Sequence, residues 1–279
     1  MKASIQSPKS TGRRDEVSAE SETVRKKAKE TTGPYLLHLE LLRDRVPTFD
    51  RYPFCLPAIR NLDRLPFHPK VTFLVGENGT GKSTLLEALA SSVDLNPEGG
   101  SRHFTFATRA SHSDLDGCLR VAKTLSMARD SYFLRAESFY NVATEIERLG
   151  IDLKPYGHRS LHEQSHGESF FALFRHRFTG RGLYLMDEPE AALSPNRQLE
   201  FLAILHDYCK QGAQFVIATH SPIIMAYPDS IIYVLGAEGI REVPYQKTEH
   251  HLVTRGFLAN PEEMLRTLLS GEEVVEGDA

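Results

Sequence analysis

The sequence predicts an α/β fold, a mainly parallel sheet with helices on its faces. Two patterns carry that expectation. From residue 168 onward, short apolar runs alternate with amphipathic stretches, the order that builds strand–helix–strand units. Upstream, residues 76–83 read Gly-Glu-Asn-Gly-Thr-Gly-Lys-Ser and match G-x-x-x-x-G-K-[ST] without a mismatch. The motif follows Val71-Thr-Phe-Leu-Val75, rich in β-formers, and precedes a segment in which Leu85, Leu86 and Leu89 recur at helical spacing. Strand, glycine loop and helix together are the context a phosphate-binding loop requires.

The elements follow in order. Residues 1–33 are dominated by Lys, Arg, Glu, Ser and Thr; with so few apolar residues to offset the entropy of ordering, they read as a disordered polar tail. Ordered structure is expected from about Tyr35. Residues 35–42 and 67–75 read as strands of an N-terminal sheet, linked through Pro47, Pro53, Pro57, Pro66 and Pro69. After the glycine-loop helix, residues 94–101 form a loop, and 102–163 mix short strand-like and helical pieces. Phe170, Phe171, Leu173, Phe174 and Phe178 mark one helix face. Residues 182–186 are a buried strand, and Ser194-Pro195 starts a helix with Ser as cap and Pro at its first position. That helix runs to about Lys210 and closes at Gly212. Residues 214–219 and 231–235 are the next buried strands. Pro261–Leu269 reads as a short terminal helix, and His250-His251 as surface residues in a polar stretch. The expected division is a tail at 1–33, a main domain at 34–247 with a helical insertion at about 102–180, and a C-terminal helical extension at 248–279.

Chemistry concentrates in four places. Gly76, Glu77, Asn78, Gly79, Thr80, Gly81, Lys82, Ser83 and Thr84 form a loop whose backbone N–H groups can turn inward on a polyphosphate. The positive end of the following helix adds to that field. Lys82 should reach the β- and γ-phosphates, and Ser83 should ligate Mg²⁺. The second place is Asp187-Glu188 at the end of an apolar strand, with Asp187 suited to hold the metal and Glu188 to orient and deprotonate a water. The third is His220, at the carboxyl end of the next strand, where it can meet the γ-phosphate. The fourth is Ser165-His-Gly167-Glu168 before the Phe-rich helix, which reads both as a capping box and as an anion site.

Four such elements in this order resemble the ATP-binding-cassette (ABC) ATPases. Within that superfamily they are most like the compact soluble "AAA family" ATPases related to the SMC and RecF group. The resemblance covers roughly residues 35–245. It implies a P-loop NTPase fold, with an ABC-ATPase-like, mainly parallel sheet flanked by helices and an N-terminal antiparallel β subdomain. It places Lys82 and Ser83 on Walker A, Asp187 and Glu188 on Walker B and the catalytic glutamate, and Ala192-Leu193-Ser194 on the D-loop. His220 falls on the switch histidine, and Ser165, Gly167 and Glu168 on the signature motif. The usual signature is altered: Gln164, His166 and Glu168 stand where leucine, glycine and glutamine are usual. No glutamine lies between Ser83 and Gln164, so the Q-loop residue is absent, with Glu137 or Ser138 as candidates to replace it. Tyr52 and Phe54 are candidates for an adenine-stacking aromatic. The resemblance further implies ATP and Mg²⁺ as ligands and a homodimer with ATP sandwiched at the interface, each signature serine serving the partner's P-loop.

Composition bounds the role less tightly. At 41% apolar and 25% charged, the chain has the make-up of a globular protein, and its net charge of −4 argues against a wholesale electrostatic grip on nucleic acid. No apolar stretch reaches spanning length, and the start lacks a secretion signal's apolar core, so a cytoplasmic location is expected. Cys55, Cys118 and Cys209 are odd in number and widely spaced, which suits free thiols. His158, His162 and His166 recur every four residues, but on one helix face the outer pair would lie about 12 Å apart, too far for one metal ion. The leading expectation is an ATP-hydrolysing soluble ABC-type ATPase. A transporter's nucleotide-binding subunit, a DNA-associated or defence ATPase and a nucleotide-binding scaffold remain open beside it. The missing Q-loop glutamine speaks against the transporter, and Glu188 against the scaffold.

Overall fold

The computed structural model describes residues 34–101, 114–126, 128–135, 148 and 166–270. The expected tail at 1–33, residues Glu137 and Ser138, and Ser165 lie outside the described residues, as does most of the expected insertion.

Strands β1 (Leu36–Leu41), β2 (Arg64–Pro66) and β5 (Leu119–Lys123) form a three-stranded antiparallel sheet in the order β2-β1-β5. The larger sheet takes β3 (Val71–Val75), β4 (Gly100–Ser101), β6 (Asp130–Arg135), β7 (Gly182–Asp187), β8 (Gln214–Ala218), β9 (Ser230–Gly236) and β10 (Gly239–Glu242). Its order is β10-β9-β3-β8-β7-β6-β4. Five central strands run parallel, and β4 and β10 pair antiparallel at the two edges. Only the first of the two N-terminal strands belongs to the small sheet: β3 sits in the middle of the large one. The reason lies in its residues, all five of which are buried; only a central strand covered on both faces accommodates such a run.

Both faces of the large sheet are covered, and the strands alternate between them with the period of the pleat. Tyr184 and Met186 of β7 and Phe215 and Ile217 of β8 point into one core, with Phe73. Helices α3 (His166–His176) and α4 (Pro195–Gln211) cover that side through Phe170, Phe174, Phe201 and Leu205. Leu183, Leu185, Val216 and Ala218 point the other way, onto α2 (Lys82–Ser92) and the three-stranded sheet. Phe174 lies at the centre of the aromatic packing, its ring 4.9 Å from that of Phe178 and 5.0 Å from that of Phe201. Gln214, fully buried, ties the two sheets together: its side-chain oxygen accepts from Tyr35 N and Leu36 N at 2.8 Å each, and its amide donates to Leu36 O and His68 O at 2.9 Å.

Helix ends follow the expected chemistry with one difference. Gly212 closes α4 in the left-handed region at φ 101. Ser194 does occupy the cap position of α4, but its side chain makes no capping bond. Nearby, the Gln198 side-chain amide donates to Leu193 O at 3.1 Å, tying the first turn to the residue before the cap. A short helix α1 (Pro57–Arg60) precedes β2. Two more, α5 (Glu249–Ala259) and α6 (Pro261–Ser270), end the described chain and bury no residue fully; Leu258 and Leu269 are 71% and 83% exposed.

Candidate functional site

The register of the parallel strands assembles the site. Leu74 of β3 pairs with Ala218 of β8, Ala218 with Asp187 of β7, and Asp187 with Arg135 of β6. One row of residues thus crosses the carboxyl edge of the sheet, and whatever follows each strand emerges beside its neighbour. The ladder continues one step: Glu188 N donates to Ala218 O at 2.9 Å and Thr219 N to Leu74 O at 3.2 Å. Lys82, Ser83, Asp187, Glu188 and His220, up to 138 positions apart in the chain, meet there for that reason.

The glycine loop leaves β3 by a path that side chains would block. Gly76 has φ +147, and a Cβ on it would lie 2.3 Å from the Leu235 carbonyl oxygen. Gly81, in the left-handed region at φ 100, begins α2. The Lys82 ammonium, almost wholly buried, donates to Gly76 O at 2.7 Å and Glu77 O at 2.9 Å. Burial holds its pKa below the ordinary lysine value, opposed by the nearby Glu188 and Asp187 carboxylates. The hydroxyl of Thr84, one residue beyond the motif, is hydrogen-bonded to that of Tyr52 at 2.8 Å. Of the two candidate stacking aromatics, Tyr52 is exposed beside the loop, whereas Phe54 is a core residue at 3% exposure.

Ser83 Oγ donates to Asp187 Oδ1 at 3.1 Å, joining the first turn of α2 to the end of β7. A hydroxyl and a carboxylate facing one another are hard oxygen donors, the set that suits Mg²⁺. Burial pushes the Asp187 pKa up to about 6, against the pull of Arg135 and of the Ser83 hydrogen bond. A buried carboxylate so far from its ordinary range gains from a cation placed beside it. The same shift has a stability consequence. An acid whose folded pKa exceeds its unfolded value holds its proton better when folded, so this contribution favours folding at low pH and is lost as pH rises from about 3.8 to about 6. In metal-free protein, Asp187→Asn is therefore expected to raise Tm by several degrees at pH 8, from a term of roughly 3 kcal/mol. The gain should shrink towards pH 4, as thermal melts at the two pH values will show.

Glu188 is one of three non-glycine residues with positive φ among those described, at φ 51 and ψ 54. That strained backbone turns its side chain into the open cleft, where it is 42% exposed. Its Oε1 lies 3.7 Å from His220 Nε2, a buried atom with no hydrogen-bond partner. His220 is held neutral-favouring, its pKa lowered first by burial and then by Lys82, with Glu188 opposing.

Three contributors were not expected from the sequence. Glu190 accepts from His220 N at 2.5 Å and from Thr219 Oγ1 at 2.8 Å, fixing the turn that carries the histidine; burial raises its pKa. Arg135 ends β6 with Nη1 2.7 Å from Glu87 Oε1 and Nε 3.7 Å from Asp187 Oδ2. His250, expected at the surface, is half-buried, and its Nε2 lies 3.2 Å from His220 Nδ1. Glu190 sits in the first turn after Asp187-Glu188-Pro189, a proximity visible in the sequence; no local pattern marks Arg135 or His250. The result is an open cleft of about 630 Å³ lined by Glu77, Asn78, Glu188, His220 and, from α5, Glu249, His250, Val253 and Thr254. Glu168 is exposed in the first turn of α3, and Gly167 is the second residue of that helix. Ser165 lies outside the described residues.

A phosphate-binding loop, a strand-end carboxylate pair and a histidine on one sheet edge define a P-loop NTPase. Comparison with known proteins narrows the class. A family model described as "AAA domain, putative AbiEii toxin, Type IV TA system" matches residues 158–226, and one described as "AAA domain" matches 54–119. The cytochrome c biogenesis ATP-binding export protein CcmA of Paracoccus denitrificans is 32% identical over 165 residues, spanning 58% of this chain and 74% of the relative. Its counterpart of that name in Mesorhizobium japonicum is 29% identical over 161 residues, spanning 54% of this chain and 78% of the relative. Among solved structures, the SMC head domain from Thermotoga maritima aligns over 76% of this chain and 99% of its own, at 17% identity and a TM-score of 0.41. The chain belongs to the ABC-type P-loop ATPases.

Proposed function

We propose that the protein binds ATP with Mg²⁺ at this sheet edge and hydrolyses it to ADP and phosphate. The observation that carries the reading is the Ser83–Asp187 contact at 3.1 Å, beside a Glu188 whose carboxylate faces the cleft. Residues Gly76 to Thr84 cradle the phosphates through backbone N–H groups and the α2 terminus. Lys82 exchanges its two loop carbonyls for phosphate oxygens. Ser83 and Asp187 hold Mg²⁺, which neutralises charge on the β- and γ-phosphates when bound. Glu188 orients the attacking water and takes its proton, and His220 offers Nε2 to the γ-phosphate.

The ATPase domain is taken as residues 34–247, with the tail and the extension at 248–279 flanking it. In this reading two chains form the working unit. Ser165, Gly167 and Glu168 serve the nucleotide held by the partner's P-loop. ATP hydrolysis per chain should then rise with protein concentration and level off. Glu188→Gln with Mg-ATP should sediment as a dimer, and a variant that remains monomeric at saturating ATP contradicts the sandwich.

A cytoplasmic switch or motor is the role favoured here. A second reading draws on the export function in the name of the CcmA relatives: the chain would be the nucleotide-binding subunit of a membrane transporter. Among the described residues no helix is long and apolar enough to cross a membrane, so such a role would need a separate spanning partner. Recovery of the protein with an integral membrane protein from detergent extract favours this second reading. Recovery with DNA, lost as salt rises, favours a nucleic-acid role instead.

A further inference from the structure

We infer that His250, on the C-terminal helix α5, is a positioning residue that fixes the tautomer and orientation of His220. The inference rests on the ATPase reading for its kinetic consequence and on the geometry alone for its structural one. His220 has two ring nitrogens with different neighbours. Nε2 is buried, lacks a hydrogen-bond partner and faces Glu188 Oε1 at 3.7 Å. Nδ1 lies 3.2 Å from His250 Nε2. A nitrogen that faces a carboxylate, and a γ-phosphate when nucleotide is bound, is useful only as a donor. The proton of the neutral ring then belongs on Nε2, which leaves Nδ1 as an acceptor needing an N–H to meet it. His250 Nε2–H supplies that donor.

Both partners are held firmly enough for this role. The His220 backbone N–H is bonded to Glu190, and the following Ser221 hydroxyl bonds Gln198 Oε1 at 2.5 Å. Across the contact, α5 begins at Thr248, 1% exposed, whose hydroxyl caps the helix by accepting from His251 N. The Thr248 hydroxyl also donates to Tyr245 O at 2.7 Å, and the Tyr245 hydroxyl to Pro222 O at 3.0 Å. The start of α5 is thereby fastened to the segment that carries His220, and His250 sits in its first turn. Burial and the neighbouring His220 both lower the His250 pKa, so the pair favours two neutral rings, as a donor–acceptor contact needs. His251 points elsewhere, its ring 4.5 Å from that of Tyr245.

The test combines spectroscopy with kinetics on the full chain. Side-chain ¹⁵N NMR of His220 should show the Nε2–H tautomer in the wild type, a mixed or inverted population in His250→Ala, and the wild-type pattern in His250→Gln, whose amide can donate from a similar position. His251→Ala should leave the His220 signals unmoved. In ATP hydrolysis, His250→Ala should lower kcat about tenfold with KM little changed, and His250→Gln should recover most of it. An unchanged His220 tautomer and unchanged kcat in His250→Ala would overturn the inference. If the wild type hydrolyses no ATP, the ATPase reading fails, and the NMR comparison still decides the role of His250.

Discussion

Glu188→Gln is expected to bind ATP about as well as the wild type and to hydrolyse it at least a hundredfold more slowly. The change keeps the shape of the side chain and removes its basicity, and a positioned general base contributes about 10²–10⁴-fold to such a reaction. Binding should be spared because the phosphates are assigned to the glycine loop and Lys82, whereas the Glu188 carboxylate stands in the open cleft, 3.7 Å from His220 Nε2. The strained backbone at φ 51 belongs to residue 188 and is shared by the glutamine variant, so the fold is expected to be kept. Single-turnover and steady-state assays separate the two effects: KM or Kd little changed, kcat collapsed. Near-normal turnover would remove Glu188 from the mechanism.

Lys82→Ala is expected to act on the other side of that division, weakening ATP binding roughly a hundredfold, the scale of charge-assisted hydrogen bonds lost without replacement. The ammonium is buried on Gly76 O and Glu77 O, with its pKa lowered chiefly by burial. Such a cation gains when phosphate oxygens replace neutral carbonyls, which makes Lys82 a source of binding energy specific to a polyphosphate. The same burial means that removing it relieves a desolvated charge, so the fold is expected to survive and Tm to change little. Titration with a fluorescent ATP analogue measures the loss; an affinity within a few-fold of wild type would contradict the assignment.

How much of this was legible in the residues depended on whether the information was local. The loop at 76–83, the apolar run before Asp187 and the strand before His220 are each contiguous, and each could be located directly. Their convergence is a property of register: Leu74, Ala218, Asp187 and Arg135 form one row because five strands run parallel and in step. β3 was expected in the N-terminal sheet because its neighbour in sequence, the 35–42 run, begins that sheet. Its five buried residues were the signal for a central position. His250 was expected at the surface because its sequence surroundings are polar. Only the fastening of Thr248 and Tyr245 to the 222–225 segment turns it toward His220, and no local pattern encodes a contact between residues thirty positions apart. Ser194 stands at the expected cap position of α4 without making the side-chain bond that usually goes with it.

The central claim is that this sheet edge turns over ATP. Its most direct test is the release of inorganic phosphate from Mg-ATP by the purified protein, measured beside Glu188→Gln and Lys82→Ala prepared in parallel. With ATP held at or below the wild-type KM, the account predicts many turnovers per wild-type chain and a rate near background for both variants. Wild-type release that stops below one phosphate per chain, or that persists undiminished in either variant, would contradict it.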